Sequence, residues 1–107
     1  MKLLKILFLA TLVIFFSNCK KDKPVTPNEI YMNNSVFEPS SITVSKGTTI
    51  TWTNKESMIH TVTSDSLFFN SGDMNKNITF SYTFNTAGTH KYRCIYHSNM
   101  KGTVTVQ

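Results

Sequence analysis

An all-β sandwich of about seven or eight strands is the fold class this sequence predicts, and three observations carry the prediction. Ile78, Phe80, Tyr82 and Phe84 alternate with polar residues, the period-2 signature of a strand with one face buried. Turn residues such as Lys46-Gly47 and Thr86-Ala87-Gly88 punctuate short runs of β-formers from Glu29 onward. Beyond the N-terminal leader there is no sustained amphipathic helix, internal repeat or phosphate-binding glycine loop.

A chain of 107 residues has room for one domain. Residues 1–18 stand apart from it. Met1 to Lys5 is basic, and Ile6 to Phe16 is almost wholly apolar. That run falls short of the about 20 residues a bilayer span needs, and it matches the apolar region of a signal peptide. It ends at Phe16-Ser17-Asn18-Cys19, which resembles a bacterial lipobox with Cys19 as the lipidated residue. Asn18 is bulkier than the small residue usual before that Cys, and Phe16 replaces the commoner Leu. The alternatives are an ordinary secretory signal with an incidental Cys and, less simply, a single-pass anchor. The expectation is export to the periplasm or cell surface, with membrane attachment only through a lipid on Cys19.

Residues 19–28 are charged, carry Pro24 and Pro27, and read as an extended tether. Residues 29–107 form the domain. The formal charge of +5 includes Lys2 and Lys5, so removing the leader leaves +3. Lys20, Lys21, Asp22 and Lys23 contribute +2 of that, which leaves the domain near +1. A nucleic-acid partner would need a basic face on the domain itself, so none is expected. With Cys19 lipidated, Cys94 has no disulfide partner, and an exported lone thiol needs protection such as metal ligation.

In order, Ile30-Tyr31-Met32 predicts a first strand that turns at Asn33-Asn34. Phe37-Glu38-Pro39 leads to Ile42-Thr43-Val44, with Ile42 and Val44 on one face. Thr48 to Asn54 follows as a strand placing Ile50 and Trp52 together. After His60-Thr61-Val62-Thr63 comes a polar and aromatic connection from Ser64 to Lys76, long enough for a turn of helix. The Ile78–Phe84 strand precedes one on which His90, Tyr92 and Cys94 share a face, and Gly102 to Gln107 closes the domain.

The loop Tyr92–Gly102 carries the chemistry. Cys94, His97 and Met100 fall at three-residue intervals, offering a thiolate, an imidazole and a thioether between two strands. His60 lies far upstream. Two His, one Cys and a Met are the ligands of a blue-copper electron-transfer site, where Cys and two imidazoles bind trigonally and the thioether is a weak axial contact. The Cys-x-x-His-x-x-Met-x-Gly pattern, with a His some thirty residues earlier, resembles the cupredoxin family, specifically its plastocyanin- and amicyanin-like members. The likeness runs from about Ile30 to Val106 and includes Lys46–Asn54 and Thr83–Thr89.

That resemblance implies a Greek-key β-sandwich with the metal at one end, one type 1 copper ion, and His60, Cys94, His97 and Met100 as its ligands. It implies that the Thr61 N–H donates to the Cys94 sulfur, and that Asn54 supports the ligand loop. It also implies that the His97 ring reaches the surface within an apolar patch, for which Met58, Ile59 and Tyr96 are candidates. Two departures are notable: Ile59 and Tyr96 stand where many relatives have Pro before each His. His90 is four residues before Cys94 along a strand, about 13 Å away, which makes it a packing residue rather than a ligand. Met32 and Met74, with Met58, offer thioethers that bind Cu(I), but such scattered Met residues are expected to be core fillers.

The function expected is one-electron transport, Cu(II)/Cu(I), between redox partner proteins, by a monomer with no enzymatic acid–base pair or nucleophile. A copper storage or delivery protein for an exported cuproenzyme is the alternative. Structural Zn²⁺ is disfavoured because Met is a poor zinc ligand, and a metal-free adhesion sandwich leaves the Cys-His-Met spacing unexplained.

Overall fold

Alternating burial sorts the chain into eight strands: β1 (Glu29–Asn33), β2 (Val36–Glu38), β3 (Ser41–Val44), β4 (Thr48–Asn54), β5 (Thr63–Ser64), β6 (Thr79–Phe84), β7 (Gly88–Cys94) and β8 (His97–Val106). The computed structural model describes residues 27–107 and contains no helix among them. The leader (1–18) and residues 19–26 of the tether, Cys19 included, lie outside the described residues.

The strands form two four-stranded sheets, ordered β2-β1-β4-β6 and β3-β8-β7-β5. β1 pairs parallel with β4 and β3 parallel with β8, while the remaining pairs are antiparallel. This is the all-β sandwich the sequence predicts, in two sheets. Between the sheets, Ile30, Met32, Phe37, Ile50, Trp52 and Phe84 meet Tyr92, Cys94, Met100, Val104 and Val106. Outer faces of β4 and β6 carry Thr and Ser, whose hydroxyls pair across the strands at Thr49–Thr83 (2.7 Å) and Thr51–Ser81 (2.8 Å).

The first hairpin turns at Asn34 and Ser35, both left-handed (φ 52° and 57°). Two consecutive positive φ values let a two-residue turn follow the strand twist. Gly102 serves a different need. A Cβ there would run into the end of the Tyr92 ring. Gly102→Ala is therefore expected to destabilise the domain by about 1–3 kcal/mol, the usual cost of overpacking, as measured by denaturant unfolding. A cost near zero would mean that the Tyr92 ring moves aside freely.

The structure corrects four details. The 64–76 connection holds no helical turn. It folds back along residues 60–64 instead, with Ser64 N–H donating to Phe69 O (2.9 Å), Ser71 N–H to Val62 O (2.9 Å) and Met74 N–H to His60 O (2.8 Å). Left-handed Leu67 and Gly72 break any helical run there. The final strand begins at His97 rather than Gly102, because β8 pairs with β7 almost to the turn. Ile78 lies just before β6 and is half-exposed, whereas Phe84 is buried. Met32 and Met74 are core residues as expected, but Met58 is 50% exposed and fills no core.

Candidate metal centre

Three chain segments converge at one end of the sandwich. β7 delivers Cys94, and a turn at Ile95-Tyr96 returns the chain so that Cys94 and His97 face each other across the hairpin. A register irregularity at Arg93/Cys94 re-aims the strand end. His60 comes from the loop after β4 and bridges to Met74 on the returning connection. The sequence separation of His60 from Cys94 is thus closed by sheet packing and not by local structure.

The donor atoms face one another. Cys94 Sγ lies 3.7 Å from His60 Nδ1 and 3.5 Å from His97 Nδ1. All three ligating atoms fall within 4.8 Å of one another. An ion bound about 2.0–2.3 Å from nitrogen and sulfur, as zinc is, holds trigonal donors about 3.5–4 Å apart. The triangle therefore fits a single ion, and both imidazoles present Nδ1 to it. His60 and Cys94 are buried, while His97 is partly exposed and gives the site its opening to the surface. Met100 is buried on β8, three residues beyond His97. A soft thiolate and two imidazoles suit an ion that alternates between soft and borderline states.

Hydrogen bonds fix the surroundings. The Thr61 N–H donates to Cys94 Sγ at 3.4 Å, as the family resemblance implied. Thr61 does more than that. Its Oγ1 accepts from Ile95 N–H at 3.0 Å and, because the Thr63 hydroxyl spends its one proton on Asn70, donates to Thr63 Oγ1, also at 3.0 Å. Thr63 then donates to Asn70 Oδ1 at 3.2 Å. One directional chain of hydroxyls thus ties the ligand hairpin to the connection behind it. Asn54 is wholly buried, and its amide donates to Met58 O and Met74 O, both at 2.8 Å, holding the two sides of the His60 loop.

Glu56 was not singled out by the sequence. Its carboxylate accepts from the Nε2 side of His60 and from Ser35 N–H at 2.9 Å. Burial raises the carboxyl pKa, but these hydrogen bonds outweigh it and hold the group below its ordinary value. The available signal was its spacing four residues before a ligand candidate, which means little without a known loop shape.

His90 stays out of the site. Its ring packs on Phe84 (5.2 Å between centroids) and its Nε2 meets Thr86 O at 2.8 Å. Ile59 and Tyr96 are exposed as expected, Met58 is exposed in keeping with its patch reading and against its core reading, and Ile95 and Val36 are also exposed. The Tyr96 hydroxyl donates to Asp73 Oδ1.

The family model described as a cupredoxin-like domain matches residues 5–106. Plastocyanin of Scenedesmus fuscus is 38% identical over 85 residues, covering 67% of this chain and 87% of the relative. Amicyanin-alpha of Methylorubrum extorquens is 30% identical over 97 residues, covering 81% of this chain and 77% of the relative. Among solved structures, a purple cupredoxin from Nitrosopumilus maritimus superposes with a TM-score of 0.70 at 30% identity, covering 74% of this chain and 98% of the other.

Proposed function

This chain belongs to the cupredoxin family, and on that premise we propose that it is a type 1 copper protein that carries single electrons. His60, His97 and Cys94 would hold one copper ion, with the Met100 thioether as a fourth, weaker donor. The convergence of Nδ1, Nδ1 and Sγ from distant segments into one half-sealed triangle carries this reading. When bound, copper supplies a one-electron couple, Cu(II)/Cu(I).

The protein's residues keep that couple in a nearly constant setting. The Thr61 N–H stabilises the Cys94 thiolate, and the hydroxyl chain through Thr61 and Thr63 fixes the hairpin. His97, beside exposed Ile95 and Tyr96, forms the short route to a partner. An apolar surface at that position is the kind that docks other proteins. The partners are redox proteins met outside the cytoplasm, the chain acts as a monomer anchored through Cys19, and it performs no catalysis. No nucleic acid is involved, since the domain's charge is near +1.

Copper-loaded protein is expected to show an intense visible thiolate-to-copper band that bleaches on reduction and returns on oxidation. Removing the copper with a chelator should abolish the band and lower the melting temperature. A colourless protein that still binds copper would defeat the proposal. Rapid surrender of copper to a competing chelator would favour copper delivery, the alternative role for the same ligands.

A further inference from the structure

We propose that Tyr96 and Asp73 are positioning residues that form a strap beside the metal centre and keep His97 next to Cys94. For its effect on a bound ion this rests on the copper reading above; its effect on the hairpin does not. Cys94 and His97 pair across a two-residue loop, Ile95-Tyr96. Such loops close well when one or both of their residues have positive φ, because those turns follow the strand twist and the others splay the strands. The β1–β2 hairpin meets this condition at Asn34 and Ser35, whereas neither Ile95 nor Tyr96 is left-handed. The register also slips at Arg93/Cys94. Splaying of this tip draws His97 Nδ1 away from Cys94 Sγ, which it faces at 3.5 Å. The restraint has to come from outside the hairpin.

Two hydrogen bonds from elsewhere in the chain supply it. Ile95 N–H donates to Thr61 Oγ1 at 3.0 Å, which holds the backbone next to Cys94. Next to His97 the tie is a side chain: the Tyr96 hydroxyl donates to Asp73 Oδ1, 23 residues upstream. Asp73 is itself well anchored. The following residue, Met74, is buried and exchanges two backbone bonds with His60, Met74 N–H to His60 O at 2.8 Å and His60 N–H to Met74 O at 3.3 Å. The Met74 carbonyl also accepts from the Asn54 amide at 2.8 Å. The strap therefore runs from one imidazole segment to the other, through Tyr96, Asp73 and Met74. Together with the Thr61 N–H on Cys94 it completes a ring of contacts that includes all three donor segments. Tyr96 is 53% exposed, so its hydrogen bond competes with water and its effect is modest.

Tyr96→Phe removes the donor and keeps the ring, and Asp73→Ala removes the acceptor. Both positions are exposed, so the variants should fold. In metal-free protein each is expected to speed hydrogen exchange of the Ile95 amide by about 3- to 10-fold, the equilibrium effect of one modest hydrogen bond. Exchange at Val104, buried on β8 away from the tip, should not change. In copper-loaded protein, loss of the ion to a competing chelator should quicken by a similar factor. The double variant should match the single ones, since both remove the same bond. Asp73→Asn keeps an acceptor oxygen and should stay close to wild type. Unchanged Ile95 exchange in both single variants would overturn the proposal, and so would effects that multiply in the double variant. The exchange measurement needs no metal, so a colourless copper-loaded wild type would remove the copper reading and leave the strap standing.

Discussion

Copper-loaded Cys94→Ser protein is expected to lose its intense visible band outright, with no weaker version of it surviving. The band requires charge transfer from a thiolate, and no other described residue offers a thiol at the site. A serine hydroxyl is a hard donor that stays protonated, which leaves the two imidazoles and a thioether for the ion. The metal-free fold should tolerate the change. The smaller hydroxyl inherits the Thr61 N–H as a donor and sits beside two ring nitrogens, so it is not stranded. The contrast between the two proteins should also appear in heat stability. Free copper at about 1,000 times its dissociation constant adds about 4 kcal/mol to a protein that binds it only when folded. Wild type should melt well above its metal-free form, and Cys94→Ser should show little of that rise. An undiminished band in the variant would mean that the sulfur is not a ligand.

Trp52→Ala is expected to cost about 3–5 kcal/mol, the range for deleting a large buried aromatic side chain. Domains of this class are stable by only about 5–15 kcal/mol in total. Trp52 is fully buried on β4 and lies 5.8 Å from Phe69, 5.9 Å from Phe80, 6.3 Å from Phe84 and 5.3 Å from Tyr92, centroid to centroid. It therefore packs both along its own sheet and across to the opposite one. Each kcal/mol moves the midpoint by about 4–8 °C in a domain of this size, so melting should fall by at least about 12 °C. Trp52→Phe should recover much of the loss, because neither the indole nitrogen nor the adjacent Tyr92 hydroxyl makes a full hydrogen bond. The damage should reach the metal centre too. Two residues beyond Trp52, the same strand delivers Asn54, whose amide braces the His60 loop. A melting temperature within a few degrees of wild type would contradict this account of the core.

Much of the molecule was legible before any coordinates. Period-2 alternation in Ile78–Phe84 and Thr48–Asn54 is a direct consequence of strand geometry, so it marks buried faces without knowledge of the partner strand. The three-residue spacing of Cys94, His97 and Met100 was equally local. Strand ends were less accessible. That β8 starts at His97 depends on β7 lying beside it, and the 64–76 connection finds its hydrogen-bond partners only in residues 60–64 of the folded chain. Met58 read as core filler because composition cannot tell an inward thioether from one exposed at the rim.

By itself the sequence determined the layered β architecture, which follows from strand periodicity, and the close spacing of Cys94, His97 and Met100; His60 joined them only through the family resemblance. Tertiary structure alone decided which imidazole nitrogen faces the sulfur, which backbone groups reach it, and that Glu56 closes the back of His60. The first two are relations between segments 34 and 33 residues apart, and only the packing of two sheets sets those distances; Glu56 is four residues from His60, but only the folded loop turns its carboxylate to the ring.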